Sequence, residues 1–374
     1  MNRRIMSLAA AAAAAMAALV AVPPLVSVEA ACRPAIIRLP DLGHGGGASA
    51  FNGTTVTGLV FDVNGLVHPA IWRRAKLTVL HGNGIGVGVV TDINARGDII
   101  GTNDQFSQAW ELRHGAMRFL RHLPGRGGPG SIAARRINSR GQIVGGAGDN
   151  SDALRWASAA AAPAILRPRP GDASSFARGI NDAGVAAGET DQRDSTSHAA
   201  IWDRRGRIHV LSGAYGPGTP SDLFEINNAG TAAGESYRTD ATGHTVSDEA
   251  TVWSPSGVPT SLGFLPGTNM SVAYGLSESS YAAGLSQAVS YPGFGPLSQP
   301  HGFVWPGHGP LLTLPVPGLS YAHSESFYHQ ITDNGTVAGT AGPVGGPDLP
   351  YVWRCAFQQA YRPPVKTAVV RGSR

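Results

Sequence analysis

The chain has 374 residues, 50 of them glycine and 27 proline, with 14% charged residues, two cysteines and a formal net charge of +4. Lys76 and Lys366 are the only lysines, and the arginines are scattered singly, which is not the clustered basic face of a nucleic-acid-binding protein. High glycine and proline without helix-period runs beyond the N-terminal segment exclude a helical fold and match many short strands joined by turns.

Residues 1–30 have the form of a secretory signal peptide. Arg3 and Arg4 precede an alanine-rich apolar run, and Val28-Glu29-Ala30 offers a cleavage site. The apolar run is short and ends at Pro23-Pro24, too short for a retained anchor. Glu29, three positions before Cys32, stands where a lipid-attachment motif needs an aliphatic residue. The expectation is a secreted or periplasmic protein beginning near Ala31, with no transmembrane anchor after processing.

From residue 36 onward the chain repeats. All seven tryptophans, Trp72, Trp110, Trp156, Trp202, Trp253, Trp305 and Trp353, end the same kind of short apolar segment. The unit is clearest over 175–211, where four strands, a to d, are predicted: Ser175–Asn181, Val185–Gly188, His198–Trp202 and Ile208–Leu211. Between a and b lies a tight turn, seen as Ile93-Asn94-Ala95-Arg96-Gly97, Ile137–Gly141, Ile180–Gly184, Ile226–Gly230 and Ile331–Gly335. The turn glycine supplies positive φ, and Asn, Asp or Ser bonds local amides. A second glycine follows at Gly101, Gly145, Gly188, Gly234 and Gly339. Degenerate copies occur at Phe51-Asn52-Gly53 with Gly58 and at Leu276–Ser280 with Gly284.

Ala273-Tyr274-Gly275-Leu276, Ile180-Asn181-Asp182-Ala183-Gly184, His198-Ala199-Ala200-Ile201-Trp202, Leu262–Gly267 and His301-Gly302-Phe303-Val304-Trp305 resemble the HAF-type extracellular repeat of bacterial secreted proteins. The resemblance covers roughly residues 36–356 and departs from the family in its few repeat histidines, His68, His198 and His301. It implies export and a β-repeat fold, and no reaction.

Six c strands are followed by a d strand, while after Trp353 only the weaker Ala356–Tyr361 is available. Ile36-Ile37-Arg38-Leu39 reads as a d strand with no blade before it. The prediction is an all-β, seven-bladed β-propeller of four-stranded antiparallel blades over 31–360, closed by strand 36–39 joining the C-terminal blade. That arrangement sets Cys32 beside Cys355 and predicts a disulfide, which export permits. The tail 361–374 is basic and expected to be disordered.

The tryptophans are read as packing between blades, each placing its N–H on a loop carbonyl. The histidines at 68, 198 and 301 are read as hydrogen bonders, and Arg155, which interrupts an apolar strand, needs an acidic neighbour or an outward orientation. Function is expected on the b–c/d–a loop face, where Glu189–Ser197, Glu235–Asp248 and Leu285–Pro300 differ most. Candidate binding residues are Tyr237, Arg238, Asp240 and His244, then Tyr291 and Phe294, then Tyr321, His323 and Glu325. Glu189 and Glu235 follow equivalent glycines and are the weak catalytic candidates, as paired carboxylates. No cofactor is expected; the Asp191–Asp194 stretch could take calcium but lacks alternating ligands. The reading is a monomeric, non-enzymatic binding protein for an extracellular glycan or protein. The alternatives are a polysaccharide hydrolase or lyase and a structural envelope protein.

Overall fold

The computed structural model describes residues 32–81, 88–103, 108–123, 132–147, 152–241, 245–289, 299–318, 324–343 and 345–361, with the backbone alone over 324–329. Contacts divide the chain into Met1–Cys32 and Arg33–Arg374; the second unit is all-β apart from one helical turn.

Its strands form antiparallel meanders, one for each sequence repeat. In the first, Gly46–Phe51, Thr55–Phe61, Val67–Arg73 and Lys76–Val79 pair in chain order. The following meanders draw on residues 88–119, 132–166, 174–210, 221–261 and 270–313. Those of 221–261 and 270–313 are joined into one eight-stranded sheet by a single parallel bridge between Asp248 and Met270. The last sheet is completed from the other end of the sequence. Ala35–Arg38 pairs antiparallel with Leu349–Arg354, aligning Ile36 with Trp353 and Ile37 with Val352. Ala356–Gln359 is a helical turn, not the alternative d strand that the sequence offered. Its position on Leu349–Arg354 is already taken by Ala35–Arg38.

The core lies between successive sheets rather than within any one. Trp202 packs with Ala186 and Ala200 of its own repeat and with Val144, Ala153 and Leu166 of the preceding one. Trp72 of the first repeat packs with Leu39, Ala338 and Val352 in the same way, so the last sheet is the first sheet's neighbour. Six indoles are at most 1% exposed. Trp72, Trp156, Trp202, Trp253 and Trp353 donate to the carbonyls of Pro40, Arg121, Arg167, Ser212 and Pro315. Each of these carbonyls follows the fourth strand of the preceding sheet, so one side chain gives both burial and a cross-sheet bond. Trp305 differs: it is partly exposed and bonds Gly309 O in its own hairpin.

The turn asparagine does more than the local bonding expected of it. Its Oδ1 accepts from turn amides, as Asn94 does from the N–H groups of Arg96 and Asp98. Its Nδ2 donates into the next repeat. Asn52 reaches Asn94 O, Asn94 reaches Asn138 O, Asn138 reaches Asn181 O, Asn181 reaches Asn227 O, and Asn227 reaches Ser277 O, all at 2.9–3.1 Å. Successive turns are thereby stitched edge to edge. Ser280, where the turn glycine is missing, keeps the left-handed backbone at φ 63°.

Arg155 has an acidic neighbour, Asp203, whose charge favours its cation against the cost of burial. Its guanidinium donates to the carbonyls of Gly184, Asp203 and Arg204, adding another bond between repeats. Both cysteines are disulfide-bonded; as the chain has only two, Cys32 is joined to Cys355. No described helix is long and apolar enough to cross a membrane.

Asn138→Asp keeps the acceptor for the turn amides but removes the donor to Asn181 O. Equilibrium denaturation should show a loss of about 1–3 kcal/mol, the cost of a broken buried hydrogen bond. An unchanged midpoint would show that the inter-repeat bond carries no stability.

Candidate functional site

The second glycine of the repeat shapes the axis of the molecule. Each first strand carries a register shift of one residue, between Ala48 and Ala50, Val90 and Asp92, Ala134 and Arg136, Ala177 and Gly179, Leu223 and Glu225, and Ala273 and Gly275. At that point the strand's carbonyl presses onto the facing glycine. A Cβ at Gly145 would lie 1.8 Å from Ala133 O, and one at Gly188 would lie 1.9 Å from Phe176 O. Only glycine fits. The extra residue of a bulge is re-aimed, and here it is Ser49, Thr91, Arg135, Arg178, Phe224 or Tyr274. All six line one cavity of about 350 Å³.

Three cavities share walls along this axis. Residues of the a–b turns of every repeat, from Asn52 to Asp333, line one of about 420 Å³. Arg136 borders both this cavity and the bulge-lined one. Its Nε donates to Glu225 Oε2 at 2.7 Å, passing over Gly179, where a Cβ would lie 3.0 Å from Glu225 Cα. Asp92 completes this layer, accepting from Ile137 N–H at 2.9 Å. Burial pushes its carboxyl up to about 6, against the pull of Arg136. Arg135 and Arg178 border both the bulge-lined cavity and a third, of about 500 Å³, on the b–c/d–a side.

This third cavity is lined by charged side chains, including Glu189, Asp191, Arg193 and Asp222. Arg178 forks onto Glu189 with bonds of 2.7 and 2.6 Å. Its guanidinium also lies 5.0 Å from the Phe176 ring centre and 4.9 Å from that of Phe224. Phe224 meets Tyr274 edge to face at 4.9 Å. Burial pushes the Glu189 carboxyl up to about 7, with Arg178 opposing; the short paired bonds hold the two as an ion pair. Asp191 accepts from the hydroxyls of Ser174 and Ser197, both at 2.8 Å. Among the described residues no group of three or more His, Cys, Asp or Glu side chains is arranged to hold a metal ion.

The candidates read from the sequence fall in different places. Tyr237 is not an open platform: its hydroxyl lies 2.7 Å from Asp222 Oδ2 and 2.9 Å from Glu235 Oε1. Glu235–Asp248, expected to be a loop, is instead mostly a hairpin, with Ala232–Thr239 paired to Thr245–Trp253. Alternation turns Glu235 and Tyr237 inward together, and their shared hydrogen bond prolongs the strand. Glu235 is engaged with Tyr237 and Glu189 with Arg178, so each carboxylate has its own partner. Arg238 and Asp240 are exposed. His244, Tyr291, Phe294, Tyr321 and His323 lie outside the described residues, as does the side chain of Glu325. His68 meets Asp62 at 3.0 Å and His198 meets Gln192 at 2.7 Å. Burial pushes the His301 imidazole down to about 4. The bulge residues were not anticipated. Their signal is the position three before the turn Asn or its substitute, which changes chemistry from repeat to repeat while the neighbouring Ile, Phe or Leu persists.

No family model matches the sequence, and no curated protein matches it. Solved structures do. A catalytically inactive variant of virginiamycin B lyase from Staphylococcus aureus, with quinupristin, matches with TM-score 0.50 at 10% identity, over 86% of this chain and 99% of that one. The β-propeller domain of Cps50 (Swd1) from Myceliophteria thermophila matches with TM-score 0.48 at 12% identity, over 85% and 99%. A puromycin hydrolase matches with TM-score 0.49 at 14% identity, over 88% of this chain and 58% of that one. At such identities the likeness concerns the fold, an all-β arrangement of the β-propeller kind.

Burial, followed by the charges of Asp222 and Asp248, raises Glu235 well above its ordinary 4.5. The folded protein therefore holds a proton that the unfolded chain releases near that value, and this contribution to stability falls as pH rises above 4.5. Glu235→Gln should flatten that decline in thermal melts taken from about pH 4.5 to about pH 7.5, by up to ~1.4 kcal/mol per pH unit. Parallel curves for the two proteins would contradict a protonated Glu235.

Proposed function

We propose that the chain is an exported, non-enzymatic binding protein of the HAF-repeat type, built as a closed seven-bladed propeller. Its ligand, a glycan, enters the axial opening on the b–c/d–a face. Closure is supported by the pairing of Ala35–Arg38 with Leu349–Arg354 and by the packing of Trp72 on Val352. Export is supported by the disulfide and by the character of residues 1–30. The binding reading rests on one observation above all. At one position per repeat an otherwise uniform scaffold turns chemically different side chains onto the axis, Ser49, Thr91, Arg135, Arg178, Phe224 and Tyr274. A purely structural ring has no need of that diversity at its most confined point.

Hydroxyls, aromatic edges and forked cations are the groups that hold sugars, and the adjoining 500 Å³ cavity has the volume of a small-ligand site. A hydrolase or lyase is the second reading, favoured by a Glu189 carboxyl pushed up to about 7, the range of a general acid. Against it, both Glu189 oxygens are held by Arg178.

A glycan array probed with the protein tests the entrance. Ala173 is exposed at the rim of the loop-side cavity, and Ala173→Trp should reduce binding by about tenfold or more by obstructing it. Ala95→Trp, at the turn-side cavity, should leave binding intact. The reverse pattern, or no glycan bound by the wild type, would sink this reading; breakdown of a bound glycan would favour the second.

A further inference from the structure

The axis holds three arginines close together, and only two are matched. Arg136 has Glu225 at 2.7 Å and Arg178 has Glu189 at 2.6 Å. Arg135, aimed inward by its bulge, has no carboxylate partner among the described residues. Its guanidinium lies 5.3 Å from the Phe176 ring centre, and its Nε is buried with no hydrogen-bond partner. Desolvation, then the charges of Arg178 and Arg136, press its pKa downward, with Glu189 the one opposing influence. A half-buried cation beside two others, with a buried Nε that bonds nothing, is an arrangement that folding alone does not favour.

Its surroundings are those of a ligand chamber. Arg135 borders both the bulge-lined cavity of about 350 Å³ and the loop-side cavity of about 500 Å³. The hydroxyls of Ser49 and Thr91 and the rings of Phe224 and Tyr274 line the first. Across the second stands Asp222, whose Oδ2 accepts from the Tyr237 hydroxyl.

We propose that Arg135 anchors the carboxylate of an acidic sugar, a uronate, whose ring lies among the hydroxyl and aromatic side chains of the bulge-lined cavity. This rests on the loop-side opening being the entrance for a glycan. A planar fork suits a carboxylate, and a single unmatched cation calls for a monoanion. A dianion such as a phosphate ester would bring excess negative charge beside Glu189 and Asp222. Aromatic rings suit the C–H faces of a pyranose, and its hydroxyls can bond Ser49 and Thr91, which acetate cannot do while it holds the arginine.

Calorimetric titration of the protein with glucuronate, glucose and acetate at fixed ionic strength tests the assignment. Glucuronate should bind about tenfold or more tightly than either glucose or acetate. Arg135→Gln should erase the preference for glucuronate over glucose while leaving glucose affinity within about threefold. Should that variant not fold, Arg135→Lys, which keeps the charge without the fork, must still weaken glucuronate more than glucose. Arg118→Gln, an exposed charge change remote from the axis, should alter neither.

Equal affinity for glucuronate and glucose, or a preference that survives Arg135→Gln, overturns the anchor. If glycans are still excluded by Ala173→Trp in that case, the entrance reading stands without it. Failure of the wild type to bind glucuronate overturns the anchor too, and failure on every array glycan removes the entrance reading as well.

Discussion

The interaction on which the rest depends is the reach of a turn asparagine into the next repeat. One carboxamide both rigidifies its own turn, by accepting two backbone N–H groups, and fixes the spacing to its neighbour, by donating to the equivalent carbonyl. Because the same bond is made from Asn52 through Asn227, small errors of placement cannot accumulate from sheet to sheet. The indoles do the corresponding work further out, through burial and a bond to the preceding sheet. Between them, inner and outer radii are set by two residue types.

A scaffold fixed in this way can carry an unfavourable interior. The glycine opposite each bulge lets one side chain per repeat leave the sheet plane, and in two adjacent repeats that side chain is arginine. The Arg136–Glu225 pair spans the repeat between them, and in that repeat Gly179 lets the strand approach the Glu225 backbone, where a Cβ would lie 3.0 Å from its Cα. Two of the three arginines there have a carboxylate partner, and the third is a local expense that the cross-sheet bonds offset.

Much of the fold was legible. The tryptophan spacing, the turn signature and the orphan segment at 36–39 gave the meanders and the pairing of Ala35–Arg38 with the last sheet, because each rests on local rules of turn chemistry and alternation. The site was less so. Tyr237 and Glu235 lie in a polar stretch that looks like a loop, and the partners that take them into a strand, Asp222 on one side and Thr245–Trp253 on the other, are distant in sequence or lie beyond the turn. Bulges leave no periodic mark, since they break the period. Yet the glycine four residues beyond the turn glycine was visible from the start as a regularity without a cause. Its cause is the carbonyl pressed against it, and reading it so would have pointed to Arg135 and Arg178 directly.

The central claim is that the first strand holds the last sheet in place, on which the proposed closure of the ring depends. Hydrogen exchange of the amides of Ile37 and Leu39, which face Leu349–Arg354, tests it most directly. The account predicts protection as strong as that of Val352 and Trp353, to which Ile37 and Ile36 are paired. Exchange at the rate of an unstructured terminus, with Val352 and Trp353 still protected, would contradict it.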